Sequence, residues 1–202
     1  ATLAAKAVEQ GLVAPDVQEI AIGTRAGLRT ARLLPDGRVR VWMGRTDTSG
    51  PAVQIRVGTR VWPAAPVNVG NPHAVVVVPD PEQVAGLDLT QQPAWEPRDA
   101  FPCGVNVEFV APVGERHLRM RVYERGVGET QRCGTGTVAA ARAAAAAQGE
   151  TDGLWRVGVP GGEVDVELAG DEAWLTGPAV IVAHGELEWP SAEGRRDEES
   201  DD

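Results

Sequence analysis

The sequence predicts a mixed α/β (α+β) chain built from two copies of one unit, a helix followed by antiparallel strands. Three observations predict it. From Leu118 to Tyr123 apolar and polar residues alternate, with Leu118, Met120 and Val122 on one face and Arg119, Arg121 and Tyr123 on the other. That is the period of a strand covered on one side. From Val138 to Gln148 alanine dominates, and alanine is the strongest helix former; Gly149 then ends the run as a C-terminal cap does. Finally, the second half of the chain repeats the first.

The repeat begins with the helices. Ala5 to Gly11 resembles Ala143 to Gly149, an offset of 138 residues measured from Gln10 to Gln148. Ile20-Ala-Ile-Gly23 then matches Trp155-Arg-Val-Gly158 at an offset of 135, Leu33 and Asp36 fall on Leu168 and Asp171, and Arg38 to Gly44 parallels Ala173 to Gly177. Each copy reads helix, strand, turn, strand, turn, strand, with Pro35-Asp36-Gly37 and Gly170-Asp171 as hairpin turns. The order of three elements in common indicates duplication.

Between the copies, Pro63-Ala-Ala-Pro66 reads as a linker and domain boundary. Val67 to His73 leads into a buried apolar strand, Ala74 to Val78, and Asp80 to Gly86 opens a short helix. Residues 94–102 read as irregular. In Gly104 to Val110 the residues Val105, Val107 and Phe109 are expected inward, and Asn106 and Glu108 outward. Gly114-Glu115-Arg116 turns the chain into the strand ending at Glu124. Residues 1–62 are thus expected as the remainder of an N-terminal half and 63–178 as a C-terminal half. Residues 179–190 are expected as a last strand returning to the first half, and 191–202 as a disordered acidic tail.

Composition narrows the function. The 202 residues are 24% charged and 43% hydrophobic, enough for a substantial core. A net charge of −10 argues against nucleic acid and against an anionic membrane surface. No run of 18 apolar residues exists, the alanine run being broken by Arg142, and neither a membrane span nor a signal peptide is predicted. Two cysteines, Cys103 and Cys133, form no disulfide framework, so a reducing cytoplasm is the expected compartment. Ala1 to Gln10 reads as helix without a cap in front of it, as if the chain were cut inside an element.

The chemistry concentrates at Cys133-Gly134-Thr135-Gly136, a thiol on a glycine-rich turn at the mouth of the alanine helix. Free N–H groups and the dipole there stabilise an anion, either a thiolate or a bound carboxylate. Other polar groups sit at strand ends: Asn71 and His73 flanking Pro72, Asn106, and the pair Glu124-Arg125. Each has an ordinary alternative: a solvated histidine, an asparagine capping a sheet, a surface ion pair. His117 and His184 lie in strands without polar companions and are expected to be structural. Neither a Cys-x-x-Cys nor a paired-His spacing is present, so no metal is expected. The Gly134-Thr135-Gly136 turn lacks the lysine of a phosphate-binding loop.

Three strings, NPHAVV (71–76), FPCGVNVEFV (101–110) and YERGVGETQRCGTGTVAAA (123–141), resemble the motifs of the diaminopimelate epimerase family in order and spacing. The resemblance covers about residues 1–190. It implies two pseudo-symmetric halves, each with a curved, mainly antiparallel sheet around a central helix. It also implies interconversion of LL- and meso-diaminopimelate without pyridoxal phosphate, metal or other cofactor, in a homodimer. Two thiols, one per half, would remove and return the α-proton from opposite faces. Cys133 matches the second of these. Gly134 and Thr135 would present N–H groups to the substrate α-carboxylate. Arg125 would hold the distal carboxylate, with Asn71, Asn106 and Glu124 completing the substrate contacts. His73 and Glu124 would assist the thiols' proton exchange.

The family's other cysteine, in a Cys-Gly-Asn-Gly-type loop before the first helix, has no counterpart; the repeat offset places it five residues ahead of Ala1. Cys103 occupies the variable place of the FP-x-G motif and lacks a turn-to-helix context. The 202-residue polypeptide is therefore expected to be inactive alone. A proline racemase-like or phenazine-pathway-like isomerase of the same fold, and a non-catalytic paralogue that only binds ligand, are the competing readings.

Overall fold

The computed structural model describes residues 2–14, 17, 19–24, 27–183 and 185. In chain order the elements are α1 (Thr2–Glu9), β1 (Ile20–Thr24), β2 (Gly27–Leu33), β3 (Arg38–Arg45), β4 (Val53–Val57), β5 (Arg60–Asn68), β6 (Pro72–Val77), α2 (Pro81–Ala85), β7 (Ala94–Glu96), β8 (Asn106–Gly114), β9 (His117–Glu124), β10 (Gly128–Thr130), α3 (Gly134–Ala147), β11 (Gly153–Val159), β12 (Gly162–Ala169) and β13 (Glu172–Pro178). The strands hydrogen-bond in the order β1-β2-β3-β13-β12-β11-β9-β8-β6-β5-β4-β7, with β10 attached to β9.

The two repeat copies meet strand to strand. β3 and β13, third strands of their units, pair antiparallel from Arg38↔Pro178 to Arg45↔Glu172, so that β1-β2-β3 is answered by β13-β12-β11. Arginines of β3 reach across this seam: Arg38 Nη1 lies 2.7 Å from Asp165 and Arg40 Nη2 2.7 Å from Glu167, both on β12.

Helix α3 is the axis of the larger core. It has no polar face, and such a helix is stable only when enclosed. Ala139, Ala140, Ala141 and Ala145 are fully buried, packed with Val67, Val75, Val110, Leu118, Met120, Trp155 and Val166 from the surrounding strands. Alanine suits this role, since small side chains let strands wrap the helix closely. The exception, Arg142, is buried too. It donates to Thr46 Oγ1 (2.8 Å), Thr151 O (3.0 Å) and Gly170 O (2.7 Å), tying the helix to three loops. Val53, Ile55, Val76, Trp95, Phe101, Val107 and Phe109 form a second core on the far face of the β8 region. Ala4 of α1 packs with Ile20, Ala31 and Val39 in a third.

Four expectations need correction. Pro63 to Pro66, expected as a linker, lies inside β5. This strand pairs with β4 through residues 60–64 and with β6 through residues 65–68. Each proline therefore sits where β5 has a neighbour on one side only, the place where a strand tolerates proline. Helix α3 begins at Gly134, four residues before the alanine run, because Cys133 caps it. Residues 94–102 contain β7 and a 3-10 turn over Arg98–Ala100 rather than irregular chain alone. Residues 179–183 and 185 carry no strand. The rest of the expected last strand, with His184 and the acidic tail, lies outside the described residues.

Candidate active site

Cys133 is the N-cap residue of α3, extended at φ −134° and ψ 109°, so its side chain folds over the first helical turn. The sulfur accepts from Gly136 N–H at 3.3 Å and lies 3.5 Å from Thr135 Oγ1. Thr137 Oγ1 donates to Cys133 O at 2.7 Å and locks the turn. Only 6% of the residue is exposed. Burial pushes the thiol up to about 11, reinforced by the nearby Glu108 and Glu124 carboxyls and opposed by the hydrogen bonds from Thr135 and Gly136. At neutral pH this group is a thiol, able to donate a proton.

A chain of polar contacts runs inward from the sulfur. Asn71 Nδ2 donates to Thr135 Oγ1 at 3.3 Å, Asn71 Oδ1 meets His73 Nε2 at 3.1 Å, and His73 Nδ1 meets Glu108 Oε1 at 2.7 Å. His73 and Glu108 are completely buried. The turn presses against this pair: a Cβ placed on Gly136 would come within 2.6 Å of Glu108 Oε1. Burial holds the Glu108 carboxyl above the usual carboxylate range, partly countered by His73.

The remaining expected residues join the same region. Asn106 Nδ2 donates to the carbonyl of Pro72, between Asn71 and His73, at 3.4 Å, while its Oδ1 accepts from the Arg125 backbone N–H at 2.9 Å. The Arg125 side chain is exposed and donates to Cys103 O at 3.0 Å. It crosses Gly104, whose φ of +83° and lack of a Cβ permit the approach. Glu124 accepts from Thr130 Oγ1, which orients its carboxylate on the β9–β10 hairpin. Thus Cys133, Thr135, Asn71, His73, Asn106 and Arg125 form one connected cluster. Cys103 is exposed and takes part only through its carbonyl.

Glu108 was expected on an outward face and is instead in the middle of the cluster. β8 is buried on both sides, so its polar alternation marks a site and not solvent. Only one signal was available: a lone acid in a strand that is otherwise apolar or small from Val107 onward.

On its other side the thiol borders a cavity of about 210 Å³, lined among others by Val39, Val41, Arg132, Gly134 and Leu175. A larger cavity of about 540 Å³, bounded by Arg56, Arg60, Asp88 and Gln91, touches none of the cluster. Among the described residues no three His, Cys, Asp or Glu side chains converge to hold a metal ion. No helix among them is long and apolar enough to cross a membrane.

The fold is one shared by racemase- and epimerase-type α+β proteins. Solved structures with it include a PhzF-family phenazine biosynthesis protein from Bacillus anthracis, with a TM-score of 0.63, 17% identity and coverage of 92% of this chain and 73% of that one. Another is a hydroxyproline epimerase from Agrobacterium vitis, with a TM-score of 0.58, 16% identity and coverage of 87% and 62%. The sequence narrows the class. Residues 66–188 match the sequence model of the family described as Diaminopimelate epimerase, and the chain belongs to that family. It is 45% identical over 183 residues to the diaminopimelate epimerase of Streptomyces coelicolor, spanning 87% of this chain and 63% of that protein. The corresponding enzyme of Thermobifida fusca is 46% identical over 179 residues, 89% of this chain and 62% of that protein. The chain therefore spans less than two thirds of the length of these relatives.

Proposed function

We propose that this chain is the larger part of a cytoplasmic, homodimeric diaminopimelate epimerase, and that Cys133 exchanges the α-proton on one face of the substrate. The observation that carries the reading is the capped thiol of Cys133, hydrogen-bonded to Thr135 and through it to Asn71, inside the segment that matches the family.

Inversion needs two groups. A base on one face takes the α-hydrogen as a proton, leaving its electron pair on the α-carbon. Cys133 then gives its sulfur-bound proton to the opposite lobe of that carbon and is left as thiolate. In the reverse direction the Cys133 thiolate removes the proton. The N–H groups of Gly134 and Thr135, at the positive end of α3, suit the substrate α-carboxylate and disperse the charge that develops beside it. Arg125 suits the distal carboxylate, with Asn71, Asn106 and Glu124 toward the distal amino acid end. His73 reaches the thiol only through Asn71 and Thr135, so its assistance is indirect.

The opposite-face group is not assigned to Cys103, which is exposed and engaged through its carbonyl. The 202 residues alone are therefore expected not to invert diaminopimelate. A chimaera tests the reading, with the part of the Streptomyces coelicolor relative outside the matched segment joined to this chain. It should incorporate deuterium from heavy water at the α-carbon of LL- and meso-diaminopimelate. Cys133→Ser should remove that exchange by at least about a hundredfold. Exchange that survives the substitution overturns the reading.

A further inference from the structure

We propose that Glu108 is the positioning residue of this site: held as a neutral carboxylic acid, it donates to His73 Nδ1 and fixes the ring in the Nε2–H form that keeps Asn71 against the thiol turn.

The argument is a count of protons. Asn71 spends an amide N–H on Thr135, so its oxygen faces His73 Nε2. An amide oxygen only accepts, and Nε2 must therefore carry hydrogen. One proton remains between Nδ1 and Glu108 Oε1, 2.7 Å apart. It belongs either to nitrogen, making an imidazolium–carboxylate pair, or to oxygen, making a neutral acid and a neutral imidazole.

The second oxygen decides. Glu108 Oε2 is buried and has no hydrogen-bond partner among the described residues. A carboxylate would leave half its charge on that buried, unpaired atom, while an acid leaves only a carbonyl oxygen there, which costs far less. The groups facing Glu108 agree. Besides His73 from β6, they are Cys133 at the entrance of α3 and Glu124 from β9, and neither supplies positive charge. Two full charges in a pocket with no exposed atom would cost more in lost hydration than their contact returns. Burial also raises the Glu108 carboxyl, in the same direction.

The consequence for catalysis rests on the epimerase reading; the tautomer does not. With its Nε2 hydrogen committed to Asn71, His73 takes no proton from the thiol. It holds the asparagine whose amide holds Thr135, and so fixes the hydroxyl beside the sulfur.

Nitrogen-15 spectroscopy on histidine-labelled protein tests this directly, since the sequence contains three histidines and His73→Gln identifies the signal. At neutral pH His73 should show one protonated and one unprotonated ring nitrogen, the protonated one being Nε2. A doubly protonated ring, or the Nδ1–H form, overturns the proposal. Glu108→Gln, which offers an amide N–H in place of the acid O–H at nearly the same volume, should keep that spectrum. In the active chimaera it should keep kcat and its pH profile within about twofold to threefold, less than one lost hydrogen bond is worth. Glu108→Leu should lower kcat about tenfold, the rate equivalent of one lost hydrogen bond, with KM less affected. A Glu108→Gln enzyme as impaired as Glu108→Leu, or with a shifted pH profile, also overturns it. If the chimaera has no epimerase activity, the epimerase reading fails while the spectrum still decides the tautomer.

Discussion

Replacing Gly136 with alanine tests the packing of the site against the helix that carries it. On an open helix face the change should stabilise, because alanine is favoured over glycine by about 1 kcal/mol in a helix interior. Here the new methyl would stand 2.6 Å from Glu108 Oε1, 3.2 Å from Cys133 Sγ and 3.3 Å from Cys133 Cβ. None of these atoms can swing into solvent, since Glu108 is fully buried and bonded to His73, and the sulfur caps the turn. Overpacking of this kind costs about 1–3 kcal/mol. Displacing Glu108 from His73 adds about 1–3 kcal/mol for a buried bond left unmade. Set against the helix gain, the net is a loss of about 3 kcal/mol, which lowers Tm by roughly 6–12 °C in a chain of this size. Scanning calorimetry or urea unfolding measures it. Gly134→Ala is the control, because its methyl would meet only Leu175 Cδ2 at 3.4 Å and Met43 Cε at 3.6 Å; its Tm should move by no more than about 2 °C. In a Glu108→Ala background the Gly136→Ala penalty should shrink by about half or more, as expected for groups in contact. A Tm for Gly136→Ala equal to or above the parent's would refute the reasoning.

Three further outcomes follow from the same coordinates. The Cys133 thiol titrates near 11 in the fold against an ordinary 9.0, so its stabilising contribution is complete below pH 9 and is lost as pH rises through 11. The stability difference between the parent and Cys133→Ala should therefore be flat below pH 9 and fall by on the order of 2–3 kcal/mol toward pH 11, read from denaturant midpoints at each pH. Arg142→Met should strand the carbonyls of Thr151 and Gly170 and leave Thr46 Oγ1 only its bond to Asp171 O, costing about 3 kcal/mol and lowering Tm by roughly 6–12 °C; a Tm change under 2 °C would show that those carbonyls are satisfied otherwise. Arg125→Ala in the active chimaera should raise KM for diaminopimelate about tenfold or more while kcat changes less, since the proposed carboxylate contact exists in both ground and transition states; an unchanged KM would free Arg125 of that role.

What could be read from the sequence was what is local. Alternation located β9, the alanine run located α3, and the repeat predicted like strands on both sides of the chain, which β3 and β13 bear out. The cluster's members each had an ordinary structural alternative when taken singly, and only the three strings 71–76, 101–110 and 123–141 read together marked them as one set. Two things were not legible. Pro63 and Pro66 carry the local signature of a break, and only the change of partner along β5 makes them compatible with a strand. Glu108 reads as solvent-facing by period alone, because nothing in the neighbouring residues reveals that the Gly136 turn of α3 closes over that face of β8. Both misreadings have one cause. A two-residue period tells which residues share a face, and only distant chain decides what covers it.

The pairing of β3 with β13 ties the two repeat units into a single ladder. If either unit melted, the other would be left with an open strand edge, and the pairs of Arg38 with Asp165 and Arg40 with Glu167 would be lost. Neither copy can loosen without exposing its twin, so the duplicated units share one cooperative fate, and slow breathing of the molecule falls to the loops and hairpins hung on the ladder. The thiol turn, held from within by the Thr137 hydroxyl, opens the helix that this ladder encloses.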